Sequence, residues 1–252
     1  MKILMLGMAA SLLLTLGPAT AAEKADKPAK LMIHFGKLLG IVGKKNTDKV
    51  QLLSGPTPVA MLNDKSPGQF WLASLGAVKF RITIQDSTKL RVEDGLERVQ
   101  RLPLAYRAIL PIVSESGKAG LAIYGQLGGA AAHGSQDYLN VVPGAGAQVI
   151  LHEAGHILEQ RVTSVRPDTL DRWKQAIADD KISVSDYGDH VAHEDLAEFS
   201  LVYAVCLDAG AARLAELQKL SPKRFALWAD ILKTAPTIPP PQKKESAGKR
   251  GK

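Results

Sequence analysis

Two histidines four residues apart, with a glutamate beside the first, are the residues of this chain best suited to chemistry: His152-Glu153-Ala154-Gly155-His156. On a helix, residues i and i+4 stack on one face, so both imidazoles can reach a single divalent ion. Neutral imidazole nitrogens are good Zn²⁺ ligands. Glu153 then stands beside an open coordination position, where a carboxylate can take a proton from water. The chemistry that this permits is hydrolysis by an activated water. The flanking residues Val149, Ile150, Leu151, Ile157 and Leu158 are apolar on several sides of such a helix, which marks it as buried. Two imidazoles and a carboxylate inside an apolar helix are costly without partners. Satisfied structural histidines are the alternative, but a chance copy of the motif would more readily fall on an exposed polar segment.

The spacing is the His-Glu-x-x-His pattern of zinc peptidases. Two histidines leave a catalytic zinc one protein ligand short. Asp186, Asp189, Glu194, Asp195 and Glu198 lie downstream as candidates. Glu194 and Glu198 share one face of a helical stretch that otherwise shows Leu196, Phe199, Val202 and Cys206. Carboxylates near the buried side of an apolar helix call for a cation or a hydrogen-bonded imidazole. An acidic first turn facing the helix dipole accounts for Glu194 and Asp195, and less well for Glu198.

His-Glu-Ala-Gly-His, then Asp186-Tyr187-Gly188, and then Glu194-Asp195-Leu196-Ala197-Glu198-Phe199 seven residues after the tyrosine form a compound pattern. Over about residues 78–208 the chain resembles the catalytic domain of anthrax lethal factor and its relatives, which include the bacterial Pro-Pro endopeptidases. The resemblance implies a zincin-like, gluzincin-type peptidase holding one Zn²⁺ per chain. It implies His152, His156 and Glu194 as ligands, Glu153 as general base, Tyr187 as oxyanion donor and Glu198 as support behind the ligands. Relatives often carry Thr-Asn between the tyrosine and the glutamate, whereas this chain has His190-Val191. His190 is therefore a candidate substrate contact, with an exposed polar residue as the alternative; His193 has the same status. His133 and Tyr138 precede the metal helix, where zincins run an edge strand along which peptides pair. Both are weak candidates for substrate contact.

The elements that must position these residues follow from periodicity. Residues 78–84 alternate apolar and polar side chains, as a half-buried strand does. Residues 90–109 read as helical with Pro103 as a break, 120–124 as a strand, 125–134 as a Gly/Ala-rich loop and 137–142 as a third strand. Helices are expected from Pro167 to about Asp180, from Ala192 to Leu207 with Gly210 as terminator, over 211–220, and from Ser221-Pro222 to Lys233. Strands, then the metal helix, then helices alone make an α+β arrangement: a small mixed sheet, the active-site helix and a helical C-terminal half.

The remaining chain sets the context. Lys2, the uncharged apolar run 3–16 and the small residues Ala19 to Ala22 read as a signal peptide over residues 1–22. Export to a periplasm or the medium is the expectation, without stable membrane insertion once the segment is removed. Cys206 is the only cysteine, so no intrachain disulfide forms. Residues 23–77 carry turn signals and no readable motif, and stand apart as an N-terminal segment of unknown role. Residues 235–252 read as a disordered Pro/Lys-rich tail. The formal charge of +7 resides largely in Lys2 and that tail, so the folded part is near neutral and nucleic-acid binding is not indicated. The expected partner is a protein or peptide substrate; nothing in the pattern selects an oligomeric state. A zinc amidase acting on cell-wall material, or a zinc-stabilised binding protein without turnover, are the rival readings. A mere binder needs neither Glu153 nor Tyr187.

Overall fold

The computed structural model describes residues 29–43 and 48–240. The signal peptide expected over 1–22 and most of the expected tail lie outside the described residues. The architecture is α+β, with a six-stranded mixed sheet and eight α-helices among the described residues. The strands are β1 (Val50–Ala60), β2 (Pro67–Leu75), β3 (Val78–Gln85), β4 (Gly120–Ile123), β5 (Ala132–Ser135) and β6 (Tyr138–Val141). Their order in the sheet is β1-β2-β3-β4-β6-β5. Pairing is antiparallel from β1 to β3, parallel across β3-β4-β6, and antiparallel between β6 and the edge strand β5.

The alternation that predicts β3 is borne out. Phe80, Ile82 and Ile84 are buried on one face, with Leu121 and Ile123 of β4 and Leu139 and Val141 of β6 beside them. Helices pack on this face, some directly and the rest behind them. They are α1 (Leu31–Phe35), α2 (Val92–Gln100), α3 (Ile109–Ser114), α4 (Ala147–Thr163), α5 (Thr169–Asp180), α6 (Ala192–Ala209), α7 (Ala211–Leu220) and α8 (Pro222–Thr234). Helix α4 carries the His-Glu-x-x-His residues and buries Ile150, Leu151, Ala154, Ile157, Leu158 and Val162, as a helix apolar on most sides should. Among the described residues, no helix is long and apolar enough to cross a membrane.

Several expectations need correction. The described residues of the segment 23–77 do not stand apart. β1 and β2 pair in register with β3, and α1 buries Leu31 and Phe35 in the main core. The reason they escape a pattern reading is physical: β1 is exposed along nearly its whole length and is interrupted by Pro56 and Pro58, so it reads as a loop. Residues 125–134 are not all loop, because Ala132–Ser135 forms β5. The helical stretch 90–109 divides into α2, a 3₁₀ turn at Leu104–Tyr106 and the start of α3, with Pro103 at the break. Pro167 lies just before α5 rather than in its first turn. The tail does not begin at 235, since Ala235 is buried and the carbonyl of Ile238 accepts a hydrogen bond from Arg161.

Candidate metal centre

Two antiparallel-running surfaces, α4 and the start of α6, make the site. Helix α4 supplies His152, Glu153 and His156, and α6 supplies Glu194 and Glu198. The two helices approach closely because residue 155 is glycine. A Cβ placed there would lie 2.6 Å from the Cα of Ala197, which no side chain tolerates without movement of α6.

The ligand atoms of His152, His156 and Glu194 all lie within 4.8 Å of one another. Oε2 of Glu194 is 3.2 Å from Nε2 of His152 and 3.5 Å from Nε2 of His156. That oxygen is buried and makes no hydrogen bond. A buried carboxylate oxygen without a donor is rare and demands an explanation. Two imidazole nitrogens and this orphaned oxygen converge on one point, so the donor set fits a single divalent cation of the borderline-soft kind that takes N and O ligands.

The second nitrogen of His152 is also accounted for. Its Nδ1 lies 3.1 Å from Oε1 of Glu198. A carboxylate can only accept, so Nδ1–H donates and Nε2 keeps its lone pair toward Glu194. Burial opposes the charged form of His152, but Glu198 and the neighbouring carboxylates outweigh it and raise its pKa. For His156 burial wins, aided by repulsion from His152, and the pKa is pushed down to about 4. His156 is therefore neutral at neutral pH, the form in which an imidazole can hold a cation.

Glu153 is buried at the foot of an open cleft of about 330 Å³. Burial raises its pKa, while His152 and a hydrogen bond from the Gly134 backbone N–H hold the carboxylate form in part. Gly134 sits on β5 directly against Glu153. A Cβ there would meet the Glu153 main-chain oxygen at 2.7 Å. The edge strand thus approaches Glu153 as closely as a backbone can.

Tyr187 is 57% exposed at the cleft mouth, with its ring 6.2 Å from that of His152. Partial desolvation and then the Glu194 charge raise its pKa, so the phenol keeps its proton. Tyr187 is held by its loop. Gly188 N–H donates to Ser185 Oγ, and the Leu31 and Met32 N–H groups donate to the carbonyls of Ser183 and Val184. Lys30 pairs with Asp186 and Asp189 on either side of the tyrosine.

The weaker sequence candidates separate. His133 and Tyr138 both line the cleft. His190 does not; it is exposed on a 3₁₀ turn at Gly188–His190. The histidine that does face the centre is His193, whose Nε2 is 3.2 Å from Oε1 of Glu194 and whose ring is 5.6 Å from that of His156. A further set of residues lay beyond pattern reading. Asp195 is not a dipole acid at the surface: its carboxylate is buried and accepts from Trp173 Nε1 at 2.8 Å and Arg224 Nη1 at 2.8 Å. Arg224 is wholly buried and also donates to Asp180 and to the Ile182 carbonyl. This network fixes the first turn of α6, and with it Glu194, against α5 and α8. Its only sequence signal is an acid one residue past a candidate ligand on an apolar helix.

Comparison of this chain with protein-family models, curated proteins and solved structures returns no match.

Proposed function

We propose that the chain is a zinc-dependent endopeptidase, exported from the cell, that hydrolyses peptide bonds in the cleft between β5 and α4. The single observation that carries this reading is the convergence of His152, His156 and the orphaned Glu194 oxygen beside a buried Glu153. When bound there, a zinc ion supplies Lewis-acid polarisation of a carbonyl and lowers the pKa of water.

The residues of the chain do the rest. Glu153, with its raised pKa and its hydrogen bond from Gly134, accepts the proton of the attacking water and returns it to the leaving amine. The protonated phenol of Tyr187 donates to the oxygen that gains charge. Glu198 fixes the tautomer of His152. Among the described residues the outer edge of β5 is unpaired in the sheet order, so an extended peptide can add as a further strand past His133 and Gly134. That mode of binding favours a peptide over a carbohydrate-linked amide. The zincin-like fold and the lethal-factor-like relationship belong to this same proposal and rest on the compound pattern of His152 to Glu198.

The test is a peptide-library digest by the purified chain with and without a chelator, alongside Glu153→Gln. Cleavage that needs zinc and is lost in Glu153→Gln is expected. Zinc binding with no peptide turnover would favour the binding-protein reading, and turnover confined to cell-wall fragments the amidase reading.

A further inference from the structure

A second cavity lies across the sheet from the helices. On β3, Arg81 and Thr83 alternate with the core residues Phe80, Ile82 and Ile84, so they face the opposite side. Ala122 of β4 and Phe70 of β2 are the register neighbours of Thr83. Met61, Ala122 and Tyr124 form a small apolar cluster of their own there, separate from the main core. Together they enclose a cavity of about 270 Å³. Its floor is apolar, and no aspartate or glutamate lines it.

Arg81 is the exceptional residue of this wall. Its guanidinium lies 4.9 Å over the Phe70 ring. Arg81 is half-buried; its Nε is buried without an acceptor, and its side chain has no hydrogen-bond or ion-pair partner among the described residues. The other cation in the lining, Lys118, is already neutralised by Glu115 at 2.9 Å and the Gln136 carbonyl at 2.8 Å. Buried arginine donors are ordinarily matched by a carboxylate or carbonyl, and the planar fork is suited to a carboxylate above all. Here the chain supplies none. The volume lies just below the usual range for ligand sites, about 300–1,000 Å³, which restricts the occupant to a small molecule.

We propose that this cavity binds a small organic carboxylate with an apolar body, its carboxylate on Arg81 and its body over Phe70, Met61 and Ala122. The site is independent of the metal centre, which lies on the helical side of the sheet.

The probe is hexanoate, titrated into the full chain and followed by the methyl resonance of Met61 and by calorimetry. Saturable binding is expected, at least tenfold tighter than for hexanamide, which lacks the charge, and than for acetate, which lacks the body. Arg81→Met should remove the preference for hexanoate over hexanamide. Thr83→Leu fills the cavity from the other side of the same strand face and leaves Arg81 in place. It should abolish binding of both hexanoate and hexanamide, and it decides the matter if Arg81→Met does not fold. Equal affinity for hexanoate and hexanamide, no shift at Met61, or hexanoate binding retained in Thr83→Leu would each overturn the proposal.

Discussion

Nδ1 of His152 lies 3.1 Å from Oε1 of Glu198, one helical turn beyond Glu194 on α6. One helix therefore presents a carboxylate to each nitrogen of the same imidazole. Oε2 of Glu194 faces Nε2 across the gap that suits an ion, and Glu198 takes the proton on the far side. Removing Glu198 leaves the ring free to rotate and to exchange tautomers. Glu198→Ala should weaken zinc binding by about 10–100-fold, with the helical circular dichroism unchanged. Competition with a chelator of known affinity measures it. Glu194→Ala should lose binding outright, whereas Glu153→Gln should bind zinc as the parent does.

In the proposed reaction Tyr187 would touch the reacting oxygen without holding the metal. Tyr187→Phe should keep zinc content, Tm and KM close to the parent and lower kcat on the order of 10²-fold, the scale of one lost oxyanion donor. Steady-state kinetics on a cleaved peptide decide it, and an unchanged kcat would reduce Tyr187 to a loop residue.

Acid should destabilise the metal-free chain through His156. Burial and the neighbouring His152 depress its folded pKa to about 4 from the ordinary 6.5. The sign follows from linkage: the unfolded chain takes up the proton first, so the stabilisation present above about pH 6.5 is lost as pH falls toward 4. The upper bound is about 3 kcal/mol for a shift of this size. His152, whose pKa is raised, acts in the opposite sense and offsets part of the loss. Urea unfolding in a chelator between pH 4 and 8 should show the slope, and His156→Gln should flatten it.

The close approach of α4 and α6 at Gly155 predicts a coupled loss. Gly155→Ala improves helix propensity by about 1 kcal/mol, yet its Cβ meets the Ala197 backbone. Backbone cannot step aside as a flexible side chain can, so the net effect should be destabilising by about 1–3 kcal/mol. Zinc affinity should fall with it, because α6 carries Glu194 away from the histidines. A variant with raised Tm and intact zinc affinity would refute the packing account.

The N-terminal contacts to the Tyr187 loop differ in weight. Lys30 pairs with Asp186 and Asp189, but Asp186 is almost wholly exposed, and exposed pairs contribute about 0–1 kcal/mol. Leu31 is fully buried in the main core. Lys30→Ala should change Tm little, and Leu31→Ala should cost about 2–5 kcal/mol and loosen the loop, visible as faster amide exchange at residues 183–189.

What could be read from the chain alone follows the range of the interactions concerned. The histidine pair was legible because its spacing is a helical period, set within four residues. Glu194 stood among several acids, and only its compound pattern with Tyr187 singled it out. Asp195 was misread because the burial of a charge depends on its partner, and that partner, Arg224, is 29 residues away on another helix. Strand β1 was invisible because an exposed edge has no apolar face to repeat. His193 and His190 carry the same local signal, and only the winding of α6 turns one toward the centre and leaves the other outside the cleft.

Lys30 and Asp186 are 156 residues apart in the chain, and the main-chain bonds beside them span a similar distance. The histidines and Glu194 are placed by the packing of α4, α5, α6 and α8, whereas the loop of Tyr187 also takes its shape from residues far earlier in the chain. On this topology the candidate ligands are held within the helical half, but the phenol is set in place only when the segment around Lys30 has docked on its loop. If the proposed reaction holds, its oxyanion donor is thus the one part of the site that the N-terminal segment controls.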